Sequence, residues 1–175
     1  MSGHNKWSKI KHKKAATDAQ KSKIFGKLVR LIQVEAKKCG GDVNSPGLAA
    51  AIAKANKENM PKDNIERAIK KAFEAGESTP VMYEAYGPGG VGMIVTGLTD
   101  NTNRTSAEIK HIFSKSGGSL GAQGSVSWNF TQDENRDWIP NSTIELDEET
   151  GPKLESLIES LEENDDVQDV YHNTE

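Results

Sequence analysis

Residues 76–99 read "GESTPVMYEAYGPGGVGMIVTGLT", and the spacing of apolar side chains changes inside this stretch. Upstream of it they recur every three or four residues. Within it, two runs rich in β-branched and aromatic residues flank "GPGG", so the pattern predicts a β-hairpin from Val81 to Thr99. The preceding "GESTP" is then a linker, and the chain divides into a helical domain, 18–77, and a strand-containing domain, 78–175.

Working back from the linker, Asp18–Cys39 carries Phe25, Leu28, Val29, Ile32, Ala36 and Cys39 at helical spacing, and "CGGD" stops the pattern. Lys23, Lys27, Arg30 and Lys37 fall on the opposite side of that helix. A second helix is expected over roughly Pro46–Lys57, packing Leu48, Ala51, Ile52 and Ala55. The third begins at "NMPKDNIERAIKKA", with Pro61 in its first turn and Ile65, Ala68, Ile69, Ala72 and Phe73 as its packing stripe. Three amphipathic helices make a small helical domain behind a basic arm, residues 1–17.

Working forward, "DNTNRTSAEIKHIFSKSGG" predicts a helix. Thr105 and Glu108 have capping-box spacing, Ile109, Ile112 and Phe113 form a stripe, and Gly117 ends it. "SVSWNF" alternates Val126, Trp128 and Phe130 as a strand, and "STIEL" adds a short one. A helix with Leu154, Leu157, Ile158 and Leu161 precedes a last strand, "VQDVYH". The expected fold class is α+β: a three-helix domain, then an antiparallel or mixed sheet with two helices on one face.

Charge separates the same two parts. Through Gly76 there are 17 Lys and Arg against 7 Asp and Glu; from Glu77 onward there are 5 against 19. A polyanion is the natural partner of the first part, and the acidic part is expected to fold back and compete for it. No apolar run approaches the roughly 20 residues of a membrane span, and no apolar stretch follows the basic start as in a secretory leader. With the single Cys39, these features lead us to expect a cytoplasmic protein with no membrane partner. His4, His12, His111 and His172 are scattered, no pair has metal-ligand spacing, and Cys39 lies on a packing face. We therefore expect no enzyme, metal, cofactor or small-molecule substrate.

The candidate site begins in "MSGHNKWSKIKHKK", residues 1–14, which holds five lysines and no acid. A basic run is often a solvated tail. Here the charge continues onto Lys23, Lys27 and Arg30, and Trp7 and His12 offer stacking surfaces among Lys6, Lys9, Lys11, Lys13 and Lys14. Lysine attracts phosphate without regard to sequence, while an aromatic ring stacks on a splayed base for about 1–3 kcal/mol. These residues are the expected nucleic-acid contacts. "GPGG" is first a turn, with Gly87, Gly89 and Gly90 as a secondary contact where bare backbone meets phosphate. Arg104, at a helix entry in "DNTNRT", is a further secondary contact for an anion, and "GGSLGAQGS" is a flexible connection.

The stretches "GHNKWSKIKHKK", "DAQKSKIFGKL", "NMPKDNIERAIKKA", "YEAYGPGGVGMIV", "LTDNTNRTSAEIKHIFSKSGGSLGAQGSVSW" and "DDVQDVYHN" resemble, in order and over nearly the whole chain, the YebC/PmpR family. The resemblance implies a DNA-binding transcriptional regulator. The family also contains mitochondrial translational activators of cytochrome oxidase, which implies instead a translation factor bound to ribosomal or transfer RNA, or to the ribosome. A protein-interaction module is the third reading. Family members usually carry a further α/β domain after the strand that ends near Phe130; here "TQDENRDW" alone makes the connection, so that domain is expected to be absent near 131–139.

Overall fold

The computed structural model describes residues 17–175. Helix α1 spans Asp18–Cys39 and is entered through a reciprocal cap: the Gln20 amide donates to the Thr17 hydroxyl at 3.2 Å, and the Thr17 amide to the Gln20 side chain at 2.8 Å. It stops at Gly40, whose φ of 67° is the left-handed conformation glycine adopts freely. Helices α2, Pro46–Lys57, and α3, Lys62–Lys71, pack on it. Their shared core joins Leu28, Ile32, Leu48 and Ile65 to Ala36, Ala51, Ala55 and Ala68. Alanine at so many contact positions lets the helix backbones approach closely.

Two details of the helical part differ from expectation. Pro61 caps α3 from outside rather than occupying its first turn. Phe73 does not join the core: α3 ends at Lys71, a single tight turn covers Ala72–Glu74, and the shorter period swings Phe73 outward to 58% exposure.

The hairpin forms as expected. Strands β1, Thr79–Tyr86, and β2, Gly92–Thr99, pair antiparallel from Thr79 opposite Thr99 to Tyr86 opposite Gly92. Next come α4, Thr102–Lys115, β3, Ser119–Leu120, β4, Phe130–Gln132, and β5, Trp138–Pro140. Helix α5, Gly151–Glu163, and β6, Val167–His172, complete the described elements. The main sheet has the order β3-β1-β2-β6, every neighbouring pair antiparallel. Helices α4 and α5 lie on one face, where Phe113, Ile109, Leu154, Leu157 and Leu161 pack on Met93 and Val95. Ile94 points the other way, against Val126 and Phe130. Both faces of β2 are therefore covered, which is why it reads as a nearly continuous apolar run.

"SVSWNF" is not a strand. Ser127–Asn129 forms a tight turn that buries Val126 and Phe130, and only Phe130–Gln132 continues as β4. "STIEL" contributes one parallel bridge, Ile144 to Thr174. At the start of α4 the capping residue is Asn101, which accepts the Arg104 amide at 3.1 Å, and not Thr105, which is fully buried inside the helix.

The β4–β5 hairpin bends back to the helical part. Arg136 lies 3.4 Å from Glu35 on α1, and Lys54 on α2 lies 3.3 Å from Asp137 and 3.2 Å from Asp169. Asp137 also accepts the Tyr171 hydroxyl at 2.8 Å. Burial opposes the charge on Lys54, but the two carboxylates outweigh it and raise the ammonium above its ordinary value.

Candidate nucleic-acid interface

Helical spacing puts Lys23, Lys27 and Arg30 on one face of α1, and that face turns toward the acidic half of the chain. Lys23 donates to the Glu163 carbonyl at 2.5 Å and Lys27 to the Glu162 carbonyl at 2.6 Å. Arg30 reaches the carbonyls of Leu98 and Asp165 at 3.2 and 3.3 Å and the Asp166 carboxylate at 3.4 Å. The Glu162 and Glu163 carbonyls lie at the C-terminal end of α5, where a helix carries its partial negative charge, while Leu98 belongs to β2 and Asp165 and Asp166 to the turn after α5. Lys23 and Lys27 thus finish a helix that has no basic residue in its own last turn. Burial pulls the Lys27 ammonium down to about 8, and the neighbouring Lys23 charge works in the same direction.

Asp166 ties this contact to the sheet. Its carboxylate is 7% exposed as a residue and accepts Arg104 at 2.9 Å and the Thr105 hydroxyl at 2.8 Å as well as Arg30. Burial opposes its charge, but the bonds from Arg104 and Thr105 and the charges of Arg104 and Arg30 hold it below the usual carboxylate range. Arg104, expected to face an external anion, is exposed and lies between Asp166 and Asp100, each at 2.9 Å. Beside it a cavity of about 680 Å³ opens between α1, the linker and the ends of α4 and α5. Arg30 and Arg104 share its wall with Glu77, Asp100, Glu108 and Asp165, a lining that disfavours a phosphate.

Gly87, Gly89 and Gly90 form the turn between β1 and β2. The Gly87 amide donates to the Val91 carbonyl and the Gly90 amide to the Gly87 carbonyl. Gly89 has a φ of 75°, and a side chain there would strike Leu146 and Thr150, so the segment before α5 covers the turn. The arm contacts Lys6, Trp7, Lys9, Lys11, His12, Lys13 and Lys14 lie outside the described residues.

A second organised surface was missed from sequence. The connection from β3 to β4, expected to be flexible, is tied from beneath by Glu84 on β1. This carboxylate accepts the amides of Gly124, Val126 and Ser127 at 2.6, 3.0 and 2.5 Å, and its residue is only 5% exposed. Burial alone would raise its pKa, yet the bonds from Gly124, Ser127 and Val126 hold it below the usual carboxylate range. A glutamate amid the apolar alternation of "VMYEAY" was the available signal. Among the described residues no group of three or more His, Cys, Asp or Glu side chains could hold a metal ion, and no helix is long and apolar enough to cross a membrane.

Comparison with known proteins places these features in company. The TACO1/YebC protein N-terminal domain matches residues 5–75, and the TACO1/YebC second and third domain matches 78–135 and 131–174. A "Probable transcriptional regulatory protein" of Petrotoga mobilis is 47% identical over 97% of this chain and 69% of its own length. Another of that name, from Thermoanaerobacter pseudethanolicus, is 41% identical over 100% of this chain and 97% of its own, the alignment running to 239 positions against 175 residues here. Against three bacterial relatives the chain spans 61% to 69% of their length. The crystal structure of a conserved hypothetical protein from Aquifex aeolicus superposes with a TM-score of 0.79 at 37% identity, over 97% of this chain and 96% of that one.

Proposed function

The chain belongs to the TACO1/YebC family, and from that premise we propose that it is a cytoplasmic, non-enzymatic regulator that binds nucleic acid, with DNA at a regulated promoter as its target. The observation that carries the reading is the acid-free run of five lysines before Thr17, in a chain whose relatives are named transcriptional regulatory proteins. The cations of α1 support a division of labour. Lys23 and Lys27 are engaged with the end of α5 and Arg30 with β2 and the turn after α5, which leaves Lys6 to Lys14 as the first phosphate contacts. We take 18–77 and 78–175 as the two domains, with the β4–β5 hairpin standing where longer relatives carry their further domain.

The test is affinity against salt. If the five lysines each neutralise one phosphate, binding falls about 500-fold between 50 and 200 mM salt. Replacing all five with Gln should flatten that dependence; an unchanged slope defeats the reading. Crosslinking from cells then separates targets. Enrichment of discrete promoter DNA supports the proposal, whereas co-sedimentation with ribosomes and crosslinks to ribosomal or transfer RNA would replace it with the translational one.

A further inference from the structure

The acidic half of the chain has one long stretch without acids. From Ile109 to Gln132 there are Lys110, His111 and Lys115, and no Asp or Glu. The most exposed large apolar side chain in the described structure stands at the end of this stretch: Trp128, 74% exposed. Its indole N–H donates to the Ser125 carbonyl at 2.8 Å, and the Tyr86 hydroxyl donates to the same carbonyl at 3.1 Å. Tyr86 is itself 39% exposed. Both polar tips are therefore satisfied within the protein, and what the pair offers outward is ring surface.

The surface is built rather than incidental. Glu84 fixes the backbone of Gly124, Val126 and Ser127, the residues that bracket Ser125 and lead into Trp128. Gly121 lets the loop lie directly on the tyrosine: a Cβ there would meet Ser125 Oγ at 2.5 Å and Tyr86 Cε2 at 3.2 Å. Gly118 makes a similarly close approach, its Cβ position lying 2.4 Å from the Tyr86 carbonyl. A buried carboxylate and two obligatory close contacts thus hold an indole in water, where its apolar area is unfavourable until something flat covers it.

We propose that Trp128, flanked by Tyr86, is a stacking site for an unpaired base of a single-stranded nucleic acid. A base presents one flat ring to a surface of this size, and stacking is indifferent to base identity. The loop adds no carboxylate of its own to repel a phosphate, and the Glu84 carboxylate beneath it is buried and bonded to three backbone amides. The ring geometry is already set, so little side-chain freedom is lost on binding. The inference rests on the nucleic-acid reading above but concerns a surface separate from the lysine arm.

The experiment measures affinity of the full chain for a short single strand and for an abasic strand of equal length and charge. Trp128→Ala should weaken binding of the base-bearing strand about tenfold, within the range for one base–aromatic stack. It should leave the abasic strand unaffected, and Trp128→Phe should restore most of the loss. Equal affinity of wild type and Trp128→Ala for the base-bearing strand overturns the site, leaving the arm's role intact and the indole free for a protein partner. Equal weakening toward both strands also overturns it, because the indole then reads no base. Failure of the wild-type chain to bind either strand also overturns this inference, while the proposed function is decided separately by the salt series on promoter DNA.

Discussion

On α1, three cations whose pattern points to an outside polyanion lie against the protein's own helix end. In the loop from Gly118 to Trp128, whose composition suggests a plain connection, a buried carboxylate holds an aromatic ring in solvent. The difference lies in what each signal contains. A positive helix face specifies attraction but no address, and the nearest negative group, here the partial charge of the carbonyls ending α5, takes it. A fixed loop needs a particular partner for its amides, and Glu84 supplies it from a strand some 40 residues earlier.

The sharpest way to break this comparison is Asp166→Ala. It removes the acceptor shared by Arg30, Arg104 and the buried Thr105, and should cost about 3 kcal/mol in urea unfolding, the upper end for a hydrogen-bonded charged group whose loss leaves a buried hydroxyl without its acceptor. A negligible loss would mean that the α1 contact contributes little to holding the two halves. Glu84→Gln comes next. It keeps one good acceptor of similar shape but loses the charge, at about 2 kcal/mol, with faster hydrogen exchange at Gly124, Val126 and Ser127. Unchanged exchange there would refute the view that Glu84 fixes the loop.

Acid tests both anchors at once. Each carboxylate is held below its ordinary range in the folded protein, so its contribution is complete above the unfolded value of about 4 and is lost as pH falls below it. The urea midpoint should drop between about pH 5 and about pH 3, and a double Glu84→Gln, Asp166→Asn variant should drop less over that interval. The smallest expected effect concerns Lys27. Its folded value of about 8 lies below the ordinary 10.5, so between these the folded state releases its proton first and folding gains slightly as pH rises. A Lys23→Met change should move the Lys27 titration upward when followed by NMR, since it removes the neighbouring positive charge.

Period and glycine placement made most of the architecture legible. The three helices, the hairpin around "GPGG", the helix ending before Gly117 and the final pair α5 and β6 all stand where apolar spacing placed them. The errors fall where two structures satisfy one pattern. Val126 and Phe130 are buried by a tight turn as readily as by a strand, and only the position of Trp128 distinguishes them. Thr105 has capping-box spacing, yet Asn101 caps the helix and frees the threonine hydroxyl for Asp166. Lys23, Lys27 and Arg30 were placed correctly on one face, but their partner comes from more than 130 residues away, beyond the reach of any local pattern.

The β4–β5 hairpin carries a consequence for how this fold varies. Because Phe130 pairs with Pro140, the chain leaves the body of the protein and returns to it one strand spacing away, about 5 Å. Such a doorway admits extra chain of any length at its tip while the framework on either side stays closed. The tip here is not idle, since Arg136 and Asp137 reach Glu35 and Lys54 and brace the helices against the sheet. Lengthening the doorway would remove that brace, so the size of whatever is spliced there and the stiffness between the two halves are set by the same few residues.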